Sequence, residues 1–240
     1  MPIHVIRDAE MWFGADRITR SLNACALRYG AALKGATVFG DTGRRRLAAL
    51  PDIALQAEGY WDPTVDDALF GNIGLVDVPM TIGPVDGVEG SVAYLFPAAA
   101  ADYEFGGALE EVLPFSLAAQ GSGGTPLIRG TLMANRTAEI ATANGDARQV
   151  GAVSATQKLY AALHVLAASA GDTLDVTIES DDGSGFASPT PRLTFAQKTA
   201  TGSQWAAPID GAIADDWWRV KWTIGGVSPS FDFVVSIGIS

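Results

Sequence analysis

Cysteine, histidine and positive charge are all scarce in this chain. The one cysteine, Cys25, excludes an internal disulfide and a thiolate metal cluster, and reads as a small core residue. Only two histidines are present. His164 lies in an apolar run, where a hydrogen-bonded core or interface histidine is expected rather than a general base, and His4 is close to the chain start. Charged residues make up 18% of the chain, and 16 Lys and Arg stand against 27 Asp and Glu, a formal charge of −11. That balance excludes the usual nucleic-acid binder, which needs a basic face to displace counterions. It is compatible with a surface past which nucleic acid moves without sticking, because an acidic wall repels phosphate.

No run approaches the ~20 apolar residues of a membrane-spanning helix. Met1–Asp8 lacks the long apolar run of a signal peptide, so the expectation is a protein kept in the cytosol unless a particle carries it out. Gly-x-Ser-x-Gly is missing, and with it the hydrolase nucleophile elbow. The loop Gly40-Asp41-Thr42-Gly43-Arg44 lacks the Gly-Lys-Ser/Thr ending of a phosphate loop, and a strand follows it rather than a helix. The pairs Asp66/Asp67, Glu110/Glu111, Asp181/Asp182 and Asp215/Asp216 read as solvated turn or cap residues, since adjacent carboxylates on a strand point to opposite faces. Asp181-Asp182-Gly183-Ser184-Gly185 has too few regularly placed oxygens for a calcium loop. The expectation is a chain that is not an enzyme, with no cofactor and no metal.

What is present is material for β-structure. The 240 residues are 48% apolar, enough for one large β domain or two ordinary ones. Alternation of apolar and polar residues, the mark of a half-buried strand, runs through Ile53–Trp61, Val112–Gln120, the stretch around Leu174–Ile178, Trp218–Ile224 and Phe231–Ile239. Shorter or less regular strands are expected at Ile18–Tyr29, Val78–Gly83, Ser91–Phe105, Pro126–Ala134 and around Leu193–Phe195, with an edge or bulge indicated by Pro97 and the alanine run after it. Leu159–Ala168 is apolar almost throughout, as a central strand is. Met1–Ala15 reads as an arm or a first short strand, with Trp12 and Phe13 in a local core contact. Asn135–Thr156 is polar and small, a plain connection or one with a hairpin of its own. One helix is expected at Asp62–Phe70: Asp62 caps, Pro63 presets φ at the first position, and Asp66 and Asp67 lie near the positive end of the dipole.

The organising stretch is Phe39–Asp52, which holds Arg44, Arg45 and Arg46 side by side between glycines and Pro51 and reads as a loop over residues 40–52. Basic Gly-rich loop, strand ending Glu58-Gly59-Tyr60-Trp61-Asp62, short acidic helix: in that order the chain resembles the FGD…R…L…L.D…EG..D…D.AL pattern of major tail tube proteins of long-tailed bacteriophages. The resemblance runs from about Ile18 to Arg136, and a looser one from Leu159 to the end.

The resemblance implies a mainly β fold: a tail-tube-type β-sandwich or barrel with one short helix and a long loop over residues 1–150, and a C-terminal β-sandwich over 151–240 on the outside of the tube. The periodicity is equally met if 151–240 packs into the first half as one continuous fold. It implies a structural virion protein that self-assembles into stacked hexameric rings, forming a hollow tube through which DNA enters the host. The partners it implies are further copies, tape-measure, baseplate or tip and tail terminator proteins, and double-stranded DNA that passes without specific binding, with assembly in the host cytoplasm. Asp41, Arg44, Arg45 and Arg46 would reach a neighbouring subunit or ring and pair with Asp66, Asp67, Glu110 or Glu111; Glu58 and Glu104 would face the lumen. The bland account of the arginines is a solvated basic turn. The alternative function is a β-sandwich that binds glycans through exposed tryptophans; Trp218 and Trp222 share the apolar strand face, which leaves Trp205 and Trp217 for that role.

Overall fold

A computed structural model describes residues 9–240, and the expectations for His4 and the first eight residues lie outside it. The described chain is almost wholly β. In order it contains β1 (Glu10–Phe13), β2 (Asp16–Arg17), a 3-10 turn (Thr19–Ser21), β3 (Leu22–Gly35), β4 (Arg46–Tyr60), α1 (Pro63–Asn72), β5 (Val78–Gly83), β6 (Val92–Phe105), β7 (Pro114–Gly121) and β8 (Ile128–Glu139). There follow β9 (Ala143–Asn144), β10 (Arg148–Gln149), β11 (Lys158–Ala168), β12 (Thr173–Asp181), β13 (Thr190–Thr194), β14 (Gly202–Trp205), β15 (Ile209–Asp210), β16 (Trp217–Gly225) and β17 (Phe231–Ile239).

The long strand β6 is the junction. Its first half lies between β5 and β8, in registers such as Ile82↔Tyr94 and Leu95↔Ile128. Its second half pairs with β7, from Ala98↔Gly121 to Phe105↔Phe115. Pro97 sits at the change of partner and is paired opposite Pro79, a switch point inside a sheet, and the expected bulge falls in the alanine run after it. That bulge lies three residues on, between Ala100 and Asp102.

From β6 the sheet extends three ways, one of them the short path β5, β1, β2. A second way runs β7, β4, β3, an antiparallel set of four strands including β6. Ile53, Leu55 and Ala57 of β4 and Phe115, Leu117 and Ala119 of β7 pack with Val65 and Leu69 of α1 and Met80, Phe96 and Ala98. The helix starts as its capping chemistry requires: the Asp62 carboxylate accepts from the Thr64 N–H at 3.0 Å, and Pro63 occupies the first turn.

The third way runs β8, β17, β11, β14. Here strands are buried on both faces. Leu159, Ala161, Leu163 and Val165 of β11 and Phe231, Phe233, Val235 and Ile237 of β17 pack on the second sheet, β10-β16-β12-β13, against Trp218, Val220 and Trp222. The alternate residues Tyr160, Ala162 and Val234 pack with Trp12, Leu95, Ile128 and Leu132. A strand with two buried faces needs apolar residues at every position, which explains the uninterrupted run in β11.

Three boundaries differ from expectation. β4 begins at Arg46, so the loop is Ala36–Arg45 and Pro51 lies within a strand. Beyond Ile53, β4 has a partner on one side only, where a residue without an N–H is tolerated. β3 continues to Gly35 through small residues that lack alternation. The polar connection after residue 135 contributes β9 and β10, each of which pairs with β16. Residues 1–150 and 151–240 share hydrogen bonds in one sheet, because β8 pairs with β17 from Gly130↔Gly238 to Glu139↔Phe231.

Candidate assembly surface

The hairpin β3–β4 leaves the body of the molecule. Its pairing runs from Leu22↔Gly59 to Gly35↔Arg46, but β4 meets β7 only between Ala54 and Tyr60. The eight residues Arg46–Ile53 therefore extend about 26 Å past the last shared rung. Along this arm Leu33, Val38, Leu47 and Leu50 are exposed, and Phe39 at the tip is fully so.

The tip is built around Asp41. Its carboxylate accepts from the Val38 N–H at 3.1 Å and pairs with the Arg45 guanidinium at 3.4 Å. The Arg45 N–H donates to Thr37 Oγ1 at 3.0 Å, and the Ala36 N–H to the Arg45 carbonyl at 2.9 Å. The local hydrogen bonds thus shape the loop and occupy Arg45 weakly. Arg44 and Arg46 make no ion pair among the described residues.

The four acidic residues expected to pair with the arginines lie at the other end of the same strands. Asp66 and Asp67 are on α1, which starts just after β4 ends. Glu110 and Glu111 lie between the end of β6 and the start of β7, beside Tyr60↔Pro114. β4 is 15 residues long, so roughly 45 Å separates the arginines from these carboxylates in one chain. Asp66 accepts a hydrogen bond from the Tyr103 hydroxyl at 2.6 Å. Burial, and then this bond, push the Tyr103 hydroxyl above its ordinary pKa. Glu110 has φ 72° in an exposed loop that also shows Leu109 and Val112.

Glu58 and Glu104 lie together. Both are in register with Ser116, so β4, β7 and β6 present Glu58, Ser116 and Glu104 as one row. This row belongs to the face of the four-stranded sheet turned away from the core, with Ala24, Ala26 and Arg28 of β3, Gln56 and Ala54 of β4, Ala118 of β7 and Asp102 of β6. Of its large side chains only Tyr60 is apolar in part. One charge pattern escaped the reading of the sequence. Leu47–Ile128 contains seven aspartates and five glutamates and no lysine, arginine or histidine. A running count of cations along the chain reveals it.

The remaining polar residues singled out in the sequence have structural partners. His164 is fully buried: its Nδ1–H donates to the Gly14 carbonyl at 2.7 Å, and Nε2 accepts from the Thr81 hydroxyl at 2.8 Å, which in turn accepts from Ser236 at 3.0 Å. Burial pulls the imidazole down to about 4 despite the Gly14 bond, so it is neutral near pH 7. Asp215 accepts from Ser180 and Arg192, which hold its carboxyl below the usual range. Asp181 accepts from the Ser188 and Asp182 N–H groups and is lowered, chiefly by Ser188, whereas Asp182 is raised by its neighbour Asp181. Among the described residues no group of three or more His, Cys, Asp or Glu is placed to hold a metal ion. Trp218 and Trp222 are core residues, and Trp205 and Trp217 are half-buried.

No family model and no curated protein matches the chain. Among solved structures it is similar to a chain of the virion of a native gene transfer agent particle, at 15% identity over 50% of this chain and 95% of that one, TM-score 0.40. It is similar to the SPP1 tail tube at 14% identity over 51% and 77%, TM-score 0.41. It is also similar to SPP1 Dit, titled a paradigm of the hub adsorption apparatus in phages infecting Gram-positive hosts, at 11% identity over 98% and 100%, TM-score 0.40. These neighbours are phage tail tube, tail hub and gene transfer agent structures, and the likeness is one of fold.

Proposed function

We propose that this chain is a structural subunit of a phage-type tail that associates with copies of itself into rings, stacked as a hollow tube. The observation that carries the reading is the four-stranded sheet β3-β4-β7-β6, open at both sides and lacking a large apolar residue on its outer face. Among the described residues β3 pairs only with β4, and Asp102–Phe105 of β6 pair only with β7. Unpaired edges of this length invite pairing with another chain. Four alternating strands make the two outer ones antiparallel, so copies related by rotation join edge to edge in the favourable antiparallel sense. Such heterologous contacts close into a ring.

In a six-membered ring the wall has about 24 strands, more than the 16–18 at which barrels keep an aqueous channel, so the bore stays open. The face bearing Glu58, Glu104 and Asp102 lines it and repels the phosphates of passing DNA. The arm, with Asp41, Arg44, Arg45 and Arg46, bridges to the next ring, and Asp66, Asp67, Glu110 and Glu111 lie at the end that receives it. Residues 1–150 serve as the tube wall and 151–240 as the outer part. Tape-measure, tip and terminator proteins complete the assembly, which forms in the host cytoplasm.

Negative-stain electron microscopy of the purified protein, run beside sedimentation, tests the reading. Rings or hollow tubes are the expected result. A particle that stays a single copy at high concentration, and does so on pre-formed tail tips, overturns it.

A further inference from the structure

The far end of the four-stranded sheet carries a hollow of about 230 Å³, lined by Asn23, Glu58, Glu104, Phe105, Pro114 and Ser116 among others. No cation lines it. Among the described residues neither glutamate has an ion-pair partner, although the row spacing holds their backbones only about 10 Å apart. Tyr60, paired with Pro114 on the glutamates' face at this end, is more than half exposed. The hollow therefore offers two unpaired negative charges beside apolar surface.

The arm tip offers the converse. Arg44 and Arg46 are unpaired, Arg45 is held only by the long contact to Asp41, and Phe39 and Val38 are exposed beside them. Tip and hollow lie at opposite ends of one strand, so they cannot meet within a copy. A stack repeated along the direction of β4 brings the tip of one copy to the hollow of the next.

Resting on the tube reading above, we propose that the hollow between Glu58 and Glu104 is the receptor for the arm tip of a second copy. A guanidinium from Arg44–Arg46 lies between the two carboxylates and Phe39 packs on Pro114 and Tyr60, which share the glutamates' face. The two glutamates then have a second task besides lining the bore: they fix the axial register of the rings. Arginine suits this role because its planar fork can bond two acceptors at once. The contact is heterologous and does not close on itself, which is the geometry of a filament.

The test uses the full chain in three forms: R44E/R45E/R46E, E58K/E104K, and the chain with all five substitutions. Each partial variant keeps the parent's thermal unfolding and forms rings, but needs at least tenfold more protein to form stacks. The five-substitution chain, with both charges exchanged, recovers stacking. An R45C/E104C chain with Cys25→Ser adds a second readout, a ladder of oxidised multimers. Tubes that are unchanged in E58K/E104K overturn the receptor assignment while leaving the tube reading intact, and so does a five-substitution chain that fails to stack although both partial variants fold. A parent chain that forms no rings, alone or on pre-formed tail tips, overturns both.

Discussion

The arm and strand β11 belong to one hydrogen-bonded sheet, yet they live in opposite surroundings. In β11 the residues from Leu159 to Val165 are buried on both faces, and the only polar one, His164, has both ring nitrogens bonded. In the arm nearly every residue from Gly30 to Asp52 is exposed on both faces. Backbone pairing alone does not bury a strand; layers above and below do. β11 has the second sheet on one side and the Trp12 layer on the other. Among the described residues the arm has neither, and its Leu33, Leu47 and Leu50 stay exposed, the surface that the proposed assembly would cover.

The largest effect expected from this contrast is on aromatic truncation. Trp222 is 1% exposed, meets Phe233 edge-on at 5.5 Å between centroids, and donates its indole N–H to the Ala141 carbonyl. Trp222→Ala should cost about 3–5 kcal/mol, read from urea unfolding. Phe39→Ala at the arm tip should leave that curve within about 0.5 kcal/mol of the parent. Equal losses at the two sites would break the contrast.

Acid should act on the buried side only. The His164 imidazole titrates near 6.5 when unfolded and at about 4 when folded. Between those values the unfolded chain takes up a proton that the folded chain refuses, so stability is whole above pH 6.5 and falls as the pH drops toward 4. The loss from this group reaches about 3 kcal/mol. Unfolding at pH 7.5 and 4.5 should show a smaller acid loss in His164→Gln than in the parent; an equal loss in both would remove the histidine from the account.

The smallest effect is local to the helix. Asp62→Ala removes the cap to the Thr64 N–H and should cost about 1 kcal/mol, with thermal unfolding as the readout.

Much of the fold is legible along the chain because the forces are local or periodic. Val78–Gly83 and Phe231–Ile239 are the strands expected, and Asp62-Pro63 starts a helix for the reasons their chemistry supplies. The arm is less legible. Pro51 reads as punctuation, and Ala31, Ala32 and Gly35 have no alternation because neither face is buried. A strand without a layer leaves no pattern of two. Glu58 and Glu104 are grouped in the sequence only through the resemblance; that they stand in one row depends on both being paired across from Ser116, a register set by three strands distant in sequence. Trp205 and Trp217 were read as the freer tryptophans, and both are only half-buried.

Strand β6 is shared by the three directions of the sheet, and its 14 residues run without a break past Pro97. Seen as a mechanical part, it is a tie rod. A pull on Asp102–Phe105 along the strand is carried to Val92–Ala98, where β8 and β5 hold it. The load then arrives as shear across many hydrogen bonds at once, rather than peeling them one by one, and it is spread into the doubly buried strands. The softest edge of the molecule is anchored in its hardest layer.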